Sequence, residues 1–391
     1  MAAPASIALH AALGVVLLLS ACGNDSADSA SAAGGTGGAA GGAGGSAGGA
    51  GGSGVVADAD VLPGDAALTP DALPLDAALT PDALASDAAL APDALTPDAA
   101  PPGDPDMLVG AFQVLMTAAA EATEVSPAVT AQTSFIGRVQ DGPTPELVRW
   151  VETGAEGPCR LLVPSVPFCG TPCGGSAACV ADDVCQPYPT AREVGTLTVT
   201  GISTGAGETT FTVDPIASNY QRSGLPFPAF AEGAPLRVET SGGAYAPFSL
   251  EARAIAAIAL TNPPMRLVSG EPATLTWSPA TQADQSLVLV RLDISHHGGS
   301  NGKIECEAPD TGTLTLPGAL VDALLELGSA GFPTVIATRR AVGSAVIAPG
   351  RVDLWVLSSV EQSVEIPGVV SCTADEDCPE GQTCQPDLTC L

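Results

Sequence analysis

The sequence predicts a mainly β protein. Two observations carry that expectation: short runs in which apolar and polar residues alternate, rich in Val, Thr and Leu, and frequent turn punctuation from 45 glycines and 35 prolines. A third bounds its size. The first hundred or so residues are too poor in large apolar side chains to build a core, which leaves about 285 for folding, enough for two compact domains or for one plus small modules.

Taken in order, residues 107–120 suit a strand or a short helix equally. Residues 133–140 and 147–152 read as strands around an Asp-Gly-Pro turn. Five cysteines crowd residues 159–185 together with Pro164, Pro167 and Pro172, so a disulfide-pinned loop region without a long helix or strand is expected there. Strands follow at 195–202, 209–213, 236–240 and 248–255, evenly spaced as a sandwich requires. A second set begins near Met265, with strands at 266–269, 274–277 and 287–294. In the last, Val288, Val290, Leu292 and Ile294 share one face. A Gly-rich loop carrying His296 and His297 turns the chain into a strand at 303–307. One helix is expected at 318–327, with Leu320, Leu324 and Leu327 on one side, Pro317 at its start and Gly328 as its stop. Strands at 335–339, 344–347 and 352–358 complete the set. The resulting expectation is one or two immunoglobulin- or fibronectin-like β-sandwiches with small disulfide-rich modules, divided as residues 107–262, with a disulfide-rich insertion at 159–185, and 263–370, followed by a Cys-rich module at 371–391.

Residues 22–106 read differently. Residues 34–54 are nearly all Gly, Ala and Ser, and an Asp-Ala-Ala-Leu-x-Pro motif recurs from Asp65, Asp76 and Asp87, a period of eleven residues. An eleven-residue period can mark a right-handed supercoil, but Pro70, Pro81 and Pro92 break a helix in every repeat. A disordered, self-repelling spacer is expected, with an r.m.s. span of about 50 Å if it behaves as a flexible coil. Its isolated carboxylates, five or six residues apart, do not preorganise a cation site.

The net charge is -30, from 43 acidic and 13 basic residues. Such a surface repels phosphate, so nucleic acid is excluded as a partner. Eleven cysteines are present, and Cys22 stands apart from the other ten. Cys372, Cys378, Cys384 and Cys390 are separated by five residues each. Cys173, Cys179 and Cys185 repeat that spacing, and Gln186-Pro187 matches Gln385-Pro386, which implies two copies of one small module. Cys159 and Cys169 then complete the first copy in some other way. By parity Cys306 either pairs with a leftover of the middle cluster or stays a buried thiol. Up to five disulfides are expected rather than zinc, because the close C-x2-C spacing is missing.

Chemistry-bearing residues are few. The sequence lacks a G-x-S-x-G elbow, an H-E-x-x-H pair, a phosphate loop and a dinucleotide fingerprint. Beyond residue 22 the histidines are His296 and His297, so a histidine-dependent hydrolase or metal enzyme must centre on their loop, with Asp293, Glu305 and Asp310 near in sequence. The plainer account is a polar hairpin loop. Asp375, Glu376, Asp377, Asp182 and Asp183 match no calcium loop and read as acidic turns. No cofactor is expected.

Residues 7–19 form an apolar stretch of signal-peptide length, too short to span a bilayer, and end in Leu19-Ser20-Ala21-Cys22. This resembles the lipobox of bacterial lipoproteins, although residues 1–9 lack Lys and Arg. The resemblance implies a signal peptide over residues 1–21 and lipidation of Cys22. Joined to the Gly/Asp spacer and the C-x5-C-x5-C module, it resembles the surface lipoproteins of myxobacteria. That resemblance implies an outer-membrane or cell-surface location with a binding, adhesive or structural role, partnered by the membrane through lipid and by surface polymers or proteins.

Overall fold

The computed structural model describes residues 103–119, 128–299 and 301–391, which form nineteen strands and one α-helix. Cys22, the signal segment and the eleven-residue repeats lie outside the described residues. The open segment near Met107 is a strand, β1 (Asp104–Thr117), followed by β2 (Gln132–Gln140), β3 (Arg149–Glu156) and β4 (Cys159–Ser165). Strand β4 corrects the expected loop. Its prolines lie at positions 164 and 167, at and beyond its end, so Cys159 to Val163 can pair freely. A hairpin of β5 (Ala177–Ala181) and β6 (Val184–Pro187) and the short β7 (Ala191–Arg192) come next. Then follow β8 (Leu197–Thr200), β9 (Thr210–Val213), β10 (Tyr220–Leu225), β11 (Pro235–Thr240) and β12 (Ser249–Arg253). The last third holds β13 (Met265–Arg266), β14 (Ala273–Thr276), β15 (Leu287–Asp293), β16 (Lys303–Pro309), β17 (Thr313–Leu316), α1 (Gly318–Glu326), β18 (Thr334–Val346) and β19 (Gly350–Glu365).

Eleven strands share one sheet, in the order β10-β2-β1-β19-β18-β15-β16-β4-β3, with β7 on β2 and β13 on β19. All its pairings are antiparallel except those of β1 and β13 with β19. A four-stranded sheet, β12-β11-β8-β9, packs on one end of the large sheet and encloses the first core. There Phe112 stacks on Phe135 at 5.9 Å between centroids, and Tyr220 and Phe211 meet the pair edge-on. The Tyr220 hydroxyl accepts from Val194 N (2.8 Å) and donates to Gly195 O (3.0 Å), so the buried ring keeps its polar tip satisfied. The second core lies under β15, β16 and β4. Leu275, Leu314 and Leu316 of the antiparallel β14-β17 pair cover it together with Leu320, Val321 and Leu324 of α1, the helix the sequence marks out.

Strands β18 and β19 join the two cores. Val335 and Ala337 of β18 belong to the second core and Ala341 to the first, while β19 gives Val352, Leu354 and Val356 to the first and Val364 to the second. The sequence suggests two short strands, at 335–339 and 344–347, in place of β18. In the structure Arg339 points inward and is fully buried. Its five N–H donors all find acceptors. Nε and Nη2 reach the two oxygens of Asp310 (2.5 and 2.9 Å), Nη1 reaches Ala256 O and Ala257 O (3.2 and 3.0 Å), and Nη2 also reaches Ser278 O (2.6 Å). Asp310 accepts in addition from Trp277 Nε1 (2.8 Å) and Ser286 Oγ (2.7 Å). Burial alone would raise its pKa, but hydrogen bonds from Arg339, Ser286 and Trp277 hold its carboxyl below the ordinary carboxylate range.

Close packing at the junction also needs Gly343. A Cβ there would lie 1.6 Å from the carbonyl oxygen of Glu251, where β12 leans on β18.

Breaking the buried pair from one side leaves an uncompensated charge. We expect Asp310→Ala to lower the unfolding free energy by about 3–5 kcal/mol, and Asp310→Ala with Arg339→Met to recover much of that loss, as measured by urea denaturation. Because the Asp310 pKa is depressed in the folded state, its contribution is present above the unfolded carboxylate value and is lost as pH falls through the folded one.

Candidate functional site

The histidine loop joins β15 to β16, which are paired from Leu287 with Pro309 to Asp293 with Lys303. A buried serine closes it. Ser295 N and Oγ donate to Asp293 Oδ1 (2.9 and 3.1 Å), and Asn301 N donates to Ser295 Oγ (3.0 Å). The loop then leans on residues 328–332, where Asn301 Nδ2 donates to Gly328 O (2.9 Å), Ala330 N to Ile294 O (3.0 Å) and Phe332 N to His296 O (2.8 Å). His297 takes a left-handed φ of 64° at the bend. The two imidazole rings lie 4.0 Å apart, with Phe332 beside His297. Burial, and to a lesser degree the neighbouring His297, hold the His296 pKa below the ordinary histidine value, against the pull of Glu361 and Asp293.

The three acids close to these histidines in sequence have other partners. Asp293 braces Ser295, Glu305 is held by Lys303 (2.6 Å) and Arg160 (4.0 Å), and Asp310 is enclosed with Arg339. The loop therefore brings His296 and His297 together with Asp293 at its base, whose charge acts on His296, but does not gather Glu305 and Asp310 around them. Lys303 also lies over the Trp150 ring at 4.0 Å, a cation–π contact the sequence does not reveal because the two residues are 153 positions apart.

All ten cysteines beyond residue 22 are paired. The terminal module joins Cys372 to Cys384 and Cys378 to Cys390, each across twelve positions. The middle module repeats the first of these links as Cys173 to Cys185, also across twelve positions. Its missing fourth cysteine is supplied from upstream, since Cys179 pairs with Cys169. Cys306 takes the first of its two expected states. It bonds Cys159, which lies directly opposite it where β16 meets β4, and both are buried in the second core. The groups of three or more metal-ligating residues found among the described residues are drawn from these cysteines, whose sulfurs are already bonded to one another.

The acids of both modules tie down turns. Asp377 Oδ2 accepts from Thr373 N (2.7 Å), Thr373 Oγ1 (2.9 Å) and Ala374 N (3.1 Å), and these bonds hold its pKa below the usual range. Asp375 Oδ1 accepts from Cys384 N (2.8 Å). In the middle module Asp182 and Asp183 accept from Phe168 N (3.1 Å) and Gly170 N (2.9 Å). The terminal module docks beside the histidine loop, with Gly331 N donating to Asp387 O and Ser371 Oγ donating to Gly331 O, both at 2.6 Å.

The middle module presents a group of strongly exposed apolar side chains. Phe168 is 74% accessible and Val166 73%, an unusual state for such residues in a pinned segment. Val184 lies beside Phe168 through the Asp183 N to Phe168 O bond, and Leu147 leads into β3 opposite the end of β4. Compared with known proteins, the chain matches no family model and no curated protein.

The titration of His296 follows from its burial. Its midpoint, read from imidazole NMR shifts, is expected below 6.5, the ordinary value. A depressed histidine pKa favours the unfolded chain once that chain protonates. Folded stability should therefore decline as pH falls through 6.5 toward the folded midpoint, and His296→Gln should flatten the decline.

Proposed function

We propose that this chain is an exported, lipid-anchored lipoprotein of the cell envelope that presents its β body on a long acidic tether for binding or adhesion. The observation that carries the reading is the disulfide set. Five bridges persist in an oxidising compartment outside the cytoplasm and are rare inside it. The lipobox-like Leu19-Ser20-Ala21-Cys22 and the low-complexity segment after it support an anchored address, with Cys22 as the acylated residue. The outer membrane or cell surface is favoured because Gly23, at the second mature position, does not match the Asp signal that commonly retains lipoproteins in the inner membrane.

Contact through the disulfide tip fits this reading better than strand addition. The edge strands of the large sheet are irregular, β3 between Glu152 and Gly154 and β10 between Arg222 and Leu225, and such breaks discourage pairing with another chain. The tip with Phe168, Val166 and Val184 offers apolar area held rigid by two disulfides, so ordering it on contact costs little entropy.

Two measurements check the proposal. Metabolic labelling with a palmitate analogue is expected to mark the wild-type chain and to vanish in Cys22→Ser. Binding of labelled protein to whole cells or extracted envelope polymers is expected to fall about tenfold in Phe168→Ser, consistent with loss of an aromatic anchor. His296→Ala with His297→Ala should leave that binding unchanged. Unlabelled wild-type protein would contradict the anchor, and full binding by Phe168→Ser would contradict the tip.

A further inference from the structure

The large sheet has one face turned away from both cores, and no described strand or helix packs on it. Strand register assigns its side chains. Ile136, Gln113, Trp355 and Val342 form one cross-strand row, and Leu115, Leu357, Arg340 and Leu287 form the next, so each set of four carries three apolar residues and one polar one. Trp355 and Leu357 lie low in this stripe, the indole donating to Asp353 Oδ2 (3.2 Å), whereas Val342 and Leu287 are 46% and 39% exposed. The solvated face of a sheet is normally polar, so six apolar side chains spread over five adjacent strands, from β2 to β15, call for a cover.

Charge narrows what that cover is. Six of the thirteen basic residues of the chain point to this face: Arg138, Arg160, Arg291, Lys303, Arg340 and Arg351. Glu305, Glu307 and Asp353 pair with four of them. Arg138 has no ion-pair partner among the described residues, and Arg291 Nε and Gln113 Oε1 are shielded from solvent without a hydrogen bond. Asp293 and Glu361 lie on the same face by register, so its acids nearly balance its bases on a chain of net charge -30, and it holds donors and an acceptor still to be matched.

We propose that this outer face is a self-association surface, on which a second copy of the chain packs sheet to sheet about a two-fold axis. Two copies of so acidic a chain repel over most of their surfaces. They can approach where acids and bases balance, and an apolar stripe rimmed by arginines and carboxylates has the composition of an interface core and rim. An isologous contact also lets the unmatched donors of each copy meet carboxylates of the other. Aligned sheets about 10 Å apart would interleave Leu287 and Val342 with their symmetry mates.

The test is sedimentation equilibrium of residues 22–391 carrying Cys22→Ser, so that lipid cannot drive association, at concentrations up to about 100 µM. A reversible dimer is expected. Leu287→Glu and Val342→Glu are exposed changes that should leave thermal unfolding unaltered and weaken the dimer at least about tenfold, with Arg138→Glu acting in the same direction. Phe168→Ser, at the disulfide tip, should leave the dimer intact. A monomer throughout the range overturns the proposal, as does a dimer insensitive to the three face substitutions or one dispersed by Phe168→Ser.

Discussion

The architecture depends on a guanidinium buried where two hydrophobic cores meet. Arg339 sits on the strand that serves both cores, and its partners come from the segment leaving β12, the residues after β14 and the end of β16. No other charge among the described residues is enclosed so fully from both sides, with side-chain exposures of 1% and 0% for the two partners. Burying such a pair is costly unless every donor and acceptor is matched. Here the five arginine donors and the four contacts to the carboxylate meet that condition. Apolar packing alone could settle in several ways, whereas this network tolerates one arrangement of the three segments it ties, which then sets how β12 and the β14-β17 pair sit on the large sheet.

Disulfides act on a different scale. The Cys159–Cys306 bond closes a loop of 147 positions and fixes β4 beside β16, so in the chain-entropy account it restricts the unfolded state most. The four module bonds close loops of ten to twelve positions and hold segments too short to have cores of their own. The carboxylates of Asp375, Asp377, Asp182 and Asp183 work with them by capping turns, which explains acidic runs that sequence alone leaves between solvation and cation binding. A body built in this way suits exposure outside the cell, and the proposed anchor and adhesive tip are consistent with it.

Much of the fold is legible in the sequence where one physical signal dominates. The alternation of Val288, Val290, Leu292 and Ile294 marks β15, Pro317 and Gly328 bracket α1, and the repeated cysteine spacing reveals the duplicated module. Legibility fails where the decisive partner is distant. Arg339 reads as the end of a strand because Asp310, which makes its burial tolerable, lies 29 positions away. Strand β10 is missed because Gln221, Arg222, Ser223 and Gly224 are all exposed and carry no alternation. The histidine loop is found at its place, but only the structure shows that Asp293 braces Ser295 inside the loop while Glu305 and Asp310 are engaged elsewhere. The tip is hidden for the same reason, since exposure of Phe168 and Val166 is a property of packing and not of composition.

The central claim, an exported body held by five specific disulfides, is tested most directly by mass spectrometry of the chain recovered from an oxidising compartment, intact and after proteolysis without reduction. The account expects an intact mass about 10 Da below that of the reduced chain, two hydrogens for each bridge, and a peptide linking Cys159 to Cys306. Free thiols at those two positions, or links that cross between the middle and terminal modules, would contradict it.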